Sequence, residues 1–343
     1  MTKTVVLCEG SHRDGPYGVD LLPGLGFETS GAAPVRRAVA GKLRDVVEHR
    51  CGVRWVQAVQ AWPLVRNSDL VLGLLEPSTE AALRLKARRG GAYARTALVL
   101  VSCWLAQWLR DADQEKRADL VSLYSAADLV LVLSQNQVSE LVAGGFEADR
   151  VAAIPYGCAP WLFDGPELPR DLDVVAAGFD HGRDYETFFR GVEHLDTTVH
   201  VLCQQANLEG LRVPANVEVH GVVPYEQYRR MLRRAKIVAV PTREMAYPCG
   251  QSVALDAASA GATVAFTRTE ALGEYLDGDC AAPVAVGDAQ GWHHVLRHLL
   301  EHIDDRERLA AAGRRRVREN FTVHHMWEGF RDVLAERNIL REL

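Results

Sequence analysis

The chain has 343 residues, a length that fits about two domains. Its hydrophobic content of 48% and charged content of 24% are ordinary for a globular protein that buries a core, and its net charge of −6 argues against a nucleic-acid partner held by bulk electrostatics. Seven cysteines occur singly with no C-x-x-C pair, so a cysteine-built zinc site is not expected, and most of them read as reduced core residues.

In chain order, KTVVLC (Lys3–Cys8) predicts a strand that runs into the loop EGSHRDG. Val35, Val39, Leu43 and Val47 give Pro34–Arg50 helical spacing. VRWVQAV (Val53–Val59) reads as a strand and DLVLGLLEP (Asp69–Pro77) as a fully buried one. A helix follows to Gly90, then a third buried strand, TALVLVSCW (Thr96–Trp104). ADLVSLYSAA is helical, DLVLVLS (Asp128–Ser134) a strand, and QNQVSELVAGGF a helix with a Gly-Gly end. Strands that are continuous Val/Leu/Ile runs alternating with helices imply a parallel sheet covered on both faces. CAPWLFDGPELPRDL (Cys158–Leu172), rich in proline, is the expected linker.

The alternation then restarts. DVVAAG (Asp173–Gly178), VHVLCQ, VEVHG, IVAVP (Ile237–Pro241) and TVAFT (Thr263–Thr267) predict strands, and two late amphipathic helices follow. The expected fold class is α/β, with two Rossmann-like doubly wound parallel-sheet domains facing a cleft. The expected divisions are 1–158, 159–325 and a C-terminal helix at 326–343 that crosses back to the first domain. In such sheets ligands sit beyond the strand carboxyl ends. Arg314, Arg315, Arg316 and Arg318 read as a solvated helix face. No window approaches the roughly 18 apolar residues of a spanning helix, and the first apolar stretch is too short for a signal peptide. A cytoplasmic protein without a transmembrane segment is expected.

The chemistry concentrates in IVAVPTREMAYPCGQSVALDAASAG. A strand ends at Pro241, a loop runs through Pro248, and a helix opens at Gly250-Gln251-Ser252. A helix N-terminus attracts phosphate through its unpaired amides and partial positive charge. Gly250 permits close approach of a ligand, and Ser252 either caps the helix or donates to an anion. Asp256 lies one turn on, on the same face, and can accept hydroxyls such as those of a ribose. The alternative reading of Asp256 is a carboxylate that serves only the helix dipole.

From about Asp173 to Thr322 these motifs resemble the C-terminal domain of GT-B-fold glycosyltransferases, especially the retaining family-4 (group 1) members. LDAASAGATVAFT resembles the second half of that family's two-glutamate motif, with Asp256 in place of the second glutamate. VEVHGVVPYEQYRRMLRRAKIVAVP and DRERLAAAGRRRVRENFT resemble the segments on either side. Where the family has its first glutamate stands Pro248, and Glu244 on the same loop is the substitute for the sugar contact. In GFDHGRDYETFF, Phe179 takes the position of the family's arginine, which leaves Arg183 as the diphosphate clamp beside Gly178. The resemblance further implies that the turn Gly221 to Val223, with Gly221 and Val222 as the named contacts, receives the base by backbone groups. The first domain would hold the acceptor. There Glu9, His12, Arg13, Tyr17, Glu76, Ser102 and Trp104 fall at strand ends, with His12 and Glu76 as the catalytic candidates.

The function this implies is sugar transfer from a nucleoside-diphosphate sugar to an unknown acceptor, with retention and without metal. The diphosphate leaving group would be stabilised by Arg183 and the helix tip. No cofactor beyond the donor is expected, and a homodimer is left open. The other readings are a nucleotide-sugar epimerase or phosphorylase on the same fold, and a non-catalytic sugar-nucleotide-binding support subunit. A dinucleotide oxidoreductase is disfavoured because no G-x-G-x-x-G follows the first strand.

Overall fold

The computed structural model describes residues 1–9, 17–32, 48, 53–88 and 91–339. Contacts divide the chain into one unit of Met1–Pro155 with Met326–Leu343 and a second of Tyr156–His325.

Among the described residues the first unit has six parallel strands: β1 (Thr2–Leu7), β2 (Phe27–Gly31), β3 (Leu70–Leu74), β4 (Ala97–Val101), β5 (Leu129–Val132) and β6 (Val151–Ala153), in the order β2-β1-β3-β4-β5-β6. β3 is buried at every residue, as its unbroken apolar run requires. The FETSG strand β2 carried no periodic signal. The strand expected at Val53–Val59 is instead the start of a helix, Trp55–Val65. Its buried residues Ala58, Ala61 and Val65 fall at helical spacing, which the short window VRWVQAV hid. The helix expected at Pro34–Arg50 lies outside the described residues except for Glu48. Along the last helix, Val323–Glu336, Trp327 donates its indole N–H to the Tyr17 carbonyl at 2.7 Å and Phe330 packs on Phe27.

The second unit also has six parallel strands among its described residues: β7 (Leu172–Ala177), β8 (Val199–Leu202), β9 (Val217–Val219), β10 (Ala235–Val240), β11 (Thr263–Thr267) and β12 (Ala282–Val284). Their order, β12-β11-β10-β7-β8-β9, is the doubly wound arrangement in which direction reverses between β7 and β10. Alternate residues feed two cores. Val175, Ala177, Val238 and Val240 face the Gln251–Ser259 helix, while Val174, Ala176, Ile237 and Ala239 face Phe188, Trp292 and Leu296. The expected linker is itself packed, with Cys158 and Phe163 in the first of these cores. Arg314 and Arg318 hold Asp164 on the surface. No helix among the described residues is long and apolar enough to cross a membrane.

Candidate functional site

β7 and β10 are neighbours at the reversal point, so the loops after them meet. The meeting is direct: Arg183 and Thr242 form an antiparallel bridge, and the Arg243 amide donates to the Gly182 carbonyl at 2.8 Å. Asp184 caps the next helix by accepting from the Thr187 amide at 3.1 Å, so it is not the partner of Arg183. The Arg183 side chain turns inward and is only 6% exposed, yet its Nε and Nη1 have no hydrogen-bond partner. Buried guanidinium groups are ordinarily paired, because desolvating the charge is expensive.

Two glycines make room for this side chain. At Gly178, φ 128, a Cβ would stand 2.2–2.4 Å from the guanidinium. At Gly250, φ 91, a Cβ would stand 2.5 Å from Val240 Cγ1 and 2.9 Å from Arg183 Nη1. The guanidinium therefore lies between the end of β7 and the tip of the Gln251–Ser259 helix. Gly250 itself is the residue before the first helical turn, and no side chain caps that end. The expectation that Ser252 caps the helix is corrected. Ser252 already lies inside the first turn and is exposed, whereas Gly250 occupies the left-handed capping position. The Gln251 amide donates to the Pro248 carbonyl at 3.1 Å, but a helix start without a side-chain cap, a buried cation without a counter-ion and the buried, unpartnered Thr242 hydroxyl meet at this one point.

One turn further in, Asp256 is partly buried and accepts from the Tyr228 hydroxyl at 3.1 Å. Burial pushes its carboxyl up to about 7, and the Tyr228 hydroxyl holds it back from rising further. Tyr228 stacks on the half-exposed Tyr225 at 5.9 Å. Tyr228 carried no signal in the sequence, where its segment stood out only by its resemblance to the family.

Gly221, φ 69, and Val222, 64% exposed, form an open turn after β9. Phe179, where the resemblance expects an arginine, is likewise exposed. Asp180, overlooked in the sequence, anchors the same loop. One of its oxygens accepts from the Gly182 amide at 2.7 Å, from the Tyr247 hydroxyl and from the Cys249 thiol at 3.4 Å. Burial would raise this carboxyl, but those three donors outweigh it and hold it below the usual range. Burial pushes the Cys249 thiol up to about 12, so it stays protonated and donates. Pro248 is buried, and Glu244 is exposed with its carboxylate on the Glu270 amide at 3.3 Å.

In the first unit, Glu76 is fully buried. It accepts from the Ser102 hydroxyl at 2.7 Å and from the amides of Cys103, Trp104 and Leu105 at 3.1, 2.8 and 2.8 Å. Burial pushes its carboxyl up while these donors pull it toward the charged form. It caps the Leu105–Asp111 helix, and Leu75 adopts φ 67 just ahead of it. The expectation that Glu76 is catalytic is therefore corrected, since its side chain is fully buried and one oxygen serves four donors as a structural cap. Glu9 is exposed and pairs with Arg54. His12 and Arg13 lie outside the described residues.

Residues 183–332 match a protein family described as glycosyl transferase-like. No curated protein matches the sequence. Among solved structures, sucrose-phosphate synthase from Thermosynechococcus elongatus is similar at a TM-score of 0.74 and 15% identity, covering 98% of this chain and 100% of that one. HepE from Anabaena, in complex with UDP and glucose, is similar at a TM-score of 0.69 and 16% identity over 98% and 100% of the two chains. The UDP-forming alpha,alpha-trehalose-phosphate synthase from Burkholderia xenovorans is similar at 0.63 and 15% over 81% and 75%. The expected fold class stands: the chain has the α/β GT-B fold of two Rossmann-like domains, and its resemblance to GT-B glycosyltransferases holds.

Proposed function

We propose that the protein is a glycosyltransferase that takes its sugar from a nucleoside diphosphate. The observation that carries this reading is the buried Arg183 guanidinium, two of whose nitrogens lack a partner beside an uncapped helix tip. A diphosphate supplies what both need, namely oxygens that accept bidentately from a guanidinium and charge that suits open amides. As the glycosidic bond to the donor breaks, negative charge grows on that diphosphate, and Arg183 with the Gly250 and Ser252 amides stabilises it in place. Asp256, fixed by Tyr228, accepts the ribose hydroxyls, and the Gly221–Val222 turn meets the base. Retention of configuration, and charge compensation by protein groups rather than a metal, follow from the resemblance to the family-4 enzymes. UDP and UDP-glucose, bound in HepE structures, are the natural first ligands to try.

A titration of the purified protein with UDP-, GDP-, ADP- and TDP-sugars, followed by detection of released diphosphate, tests the proposal. Affinity for at least one of them is expected, with slow release of free nucleoside diphosphate. No affinity for any refutes it. Binding without release, with or without acceptor sugars, favours the second reading, a non-catalytic binding subunit. That reading draws on the buried Pro248 and exposed Phe179, which stand where the family has a glutamate and an arginine.

A further inference from the structure

β9 is the edge of the second sheet and pairs with β8 in parallel register, His200 opposite Glu218. Side chains alternate along a strand, so Glu218 and His220, two apart, share the face to which His200 also points. The neighbouring Val199, Val201 and Val217 turn the other way, into the core beneath. The face carrying these three polar side chains is left partly open, with His200 and His220 side chains at 14% and 29% exposure and Glu218 at 61%.

The three groups converge. His200 Nδ1 lies 3.0 Å from His220 Nε2 and 3.4 Å from a Glu218 oxygen, and His220 Nε2 lies 4.0 Å from that same oxygen. Two imidazole nitrogens and a carboxylate oxygen thus lie within 4.8 Å of one another, the two nitrogens sharing a hydrogen bond whose proton a bound cation would displace. A tetrahedral zinc ion with bonds of about 2.0–2.1 Å separates its ligand atoms by about 3.3 Å, in the middle of these spacings. Two imidazoles and a carboxylate suit zinc and its late-transition neighbours far better than magnesium or calcium.

We propose that His200, Glu218 and His220 form a zinc site that ties the edge strand β9 to β8. Three protein ligands leave a fourth position for water. The site lies immediately before the Gly221 turn, so the ion would brace that turn from behind. It is independent of the donor reading, because none of its ligands is assigned to sugar-nucleotide binding. The sequence reading expected no metal; His-x17-Glu-x-His matches no local spacing, and only the strand register brings the three together.

The test is zinc binding by untagged, chelator-treated protein, compared with His200→Ala, His220→Ala and Glu218→Gln. The wild type should bind one more equivalent of zinc than either histidine variant. Each histidine variant should weaken that site by more than the roughly 10–100-fold that a mere outer-shell partner is worth. Zinc should raise the unfolding temperature of the wild type and not of the histidine variants. His298→Ala, at a separate group where His298 stacks on His302 and lies 3.0 Å from an Asp305 oxygen, should leave this binding unchanged. Cobalt replacing zinc should show the visible absorption of a four- or five-coordinate ion, lost in His220→Ala. Equal stoichiometry and affinity in wild type and histidine variants, with cooperative unfolding retained in all, would overturn the proposal.

Discussion

Replacing Arg183 with methionine separates a binding role from a structural one. The side chain is buried with Nε and Nη1 unpartnered, so in the free protein it carries a desolvation cost with no hydrogen-bond return. Each such orphaned donor costs about 1–3 kcal/mol. Methionine retains most of the apolar stem and removes the charge. The ligand-free variant should therefore unfold at the same temperature as the wild type or a higher one. Binding should move the opposite way. Charge-assisted hydrogen bonds contribute about 1.5–3 kcal/mol each, so losing two weakens diphosphate binding by about 3–6 kcal/mol, a hundredfold or more. Thermal unfolding with and without UDP, together with calorimetric titration of UDP, reads both quantities. A variant that is several degrees less stable yet binds UDP as tightly as the wild type would mean that Arg183 is a packing residue, and the reasoning would fail.

Gly250→Ala forces a Cβ into Val240 and Arg183 at a left-handed φ, and about 1–3 kcal/mol of stability should be lost in chemical denaturation. The folded-state carboxyl of Asp256, at about 7, lies above its ordinary 3.8, so the folded protein holds a proton that the unfolded chain releases. This contribution is fully present below pH about 4 and fades as pH rises to about 7; at most it is about 4 kcal/mol. Asp256→Asn should flatten that slope in unfolding measured across this range. If the ionised carboxylate holds ribose hydroxyls, nucleotide affinity should rise from pH 6 to pH 8 in the wild type and stay level in Asp256→Asn. Glu76→Ala strips the acceptor from the Ser102 hydroxyl and from the Cys103, Trp104 and Leu105 amides; it should cost about 2–4 kcal/mol of stability while UDP affinity stays unchanged.

Much of the fold was legible in the sequence because buried parallel strands are continuous apolar runs: β3, β4, β5, β10 and β11 each stood out. Trp55–Val65 was misread because seven residues cannot separate a period of 2 from one of 3.6. β2 was missed because FETSG has neither an apolar run nor alternation. At the site, Gly250 and Asp256 were readable from local spacing along one helix. Arg183 was readable as a cation but not as a buried one, since its burial depends on Gly178 and Gly250 from two other segments. Asp180, Tyr228 and the partners of Glu76 depend on contacts between residues 26 to 69 positions apart, which periodicity does not record.

Phe179, where the resemblance expects an arginine, leaves the proposed diphosphate pocket with little positive charge. Among the residues brought together here, Arg183 contributes one full charge, and the open helix tip contributes about half of another. Arg183 Nη1 also stands 2.9 Å from where a Gly250 side chain would begin, so the two sources of positive charge lie side by side and would act on the same oxygens of a diphosphate bound as proposed. They should therefore not behave independently. In a double-mutant cycle of Arg183→Met and Gly250→Ala on UDP affinity, the combined loss should fall short of the sum by about 0.5–3 kcal/mol, the range for groups that share a contact. Additive losses would mean that the helix tip and the guanidinium serve different parts of the ligand. The single-point picture of the diphosphate pocket would then have to be given up, even if both residues bind.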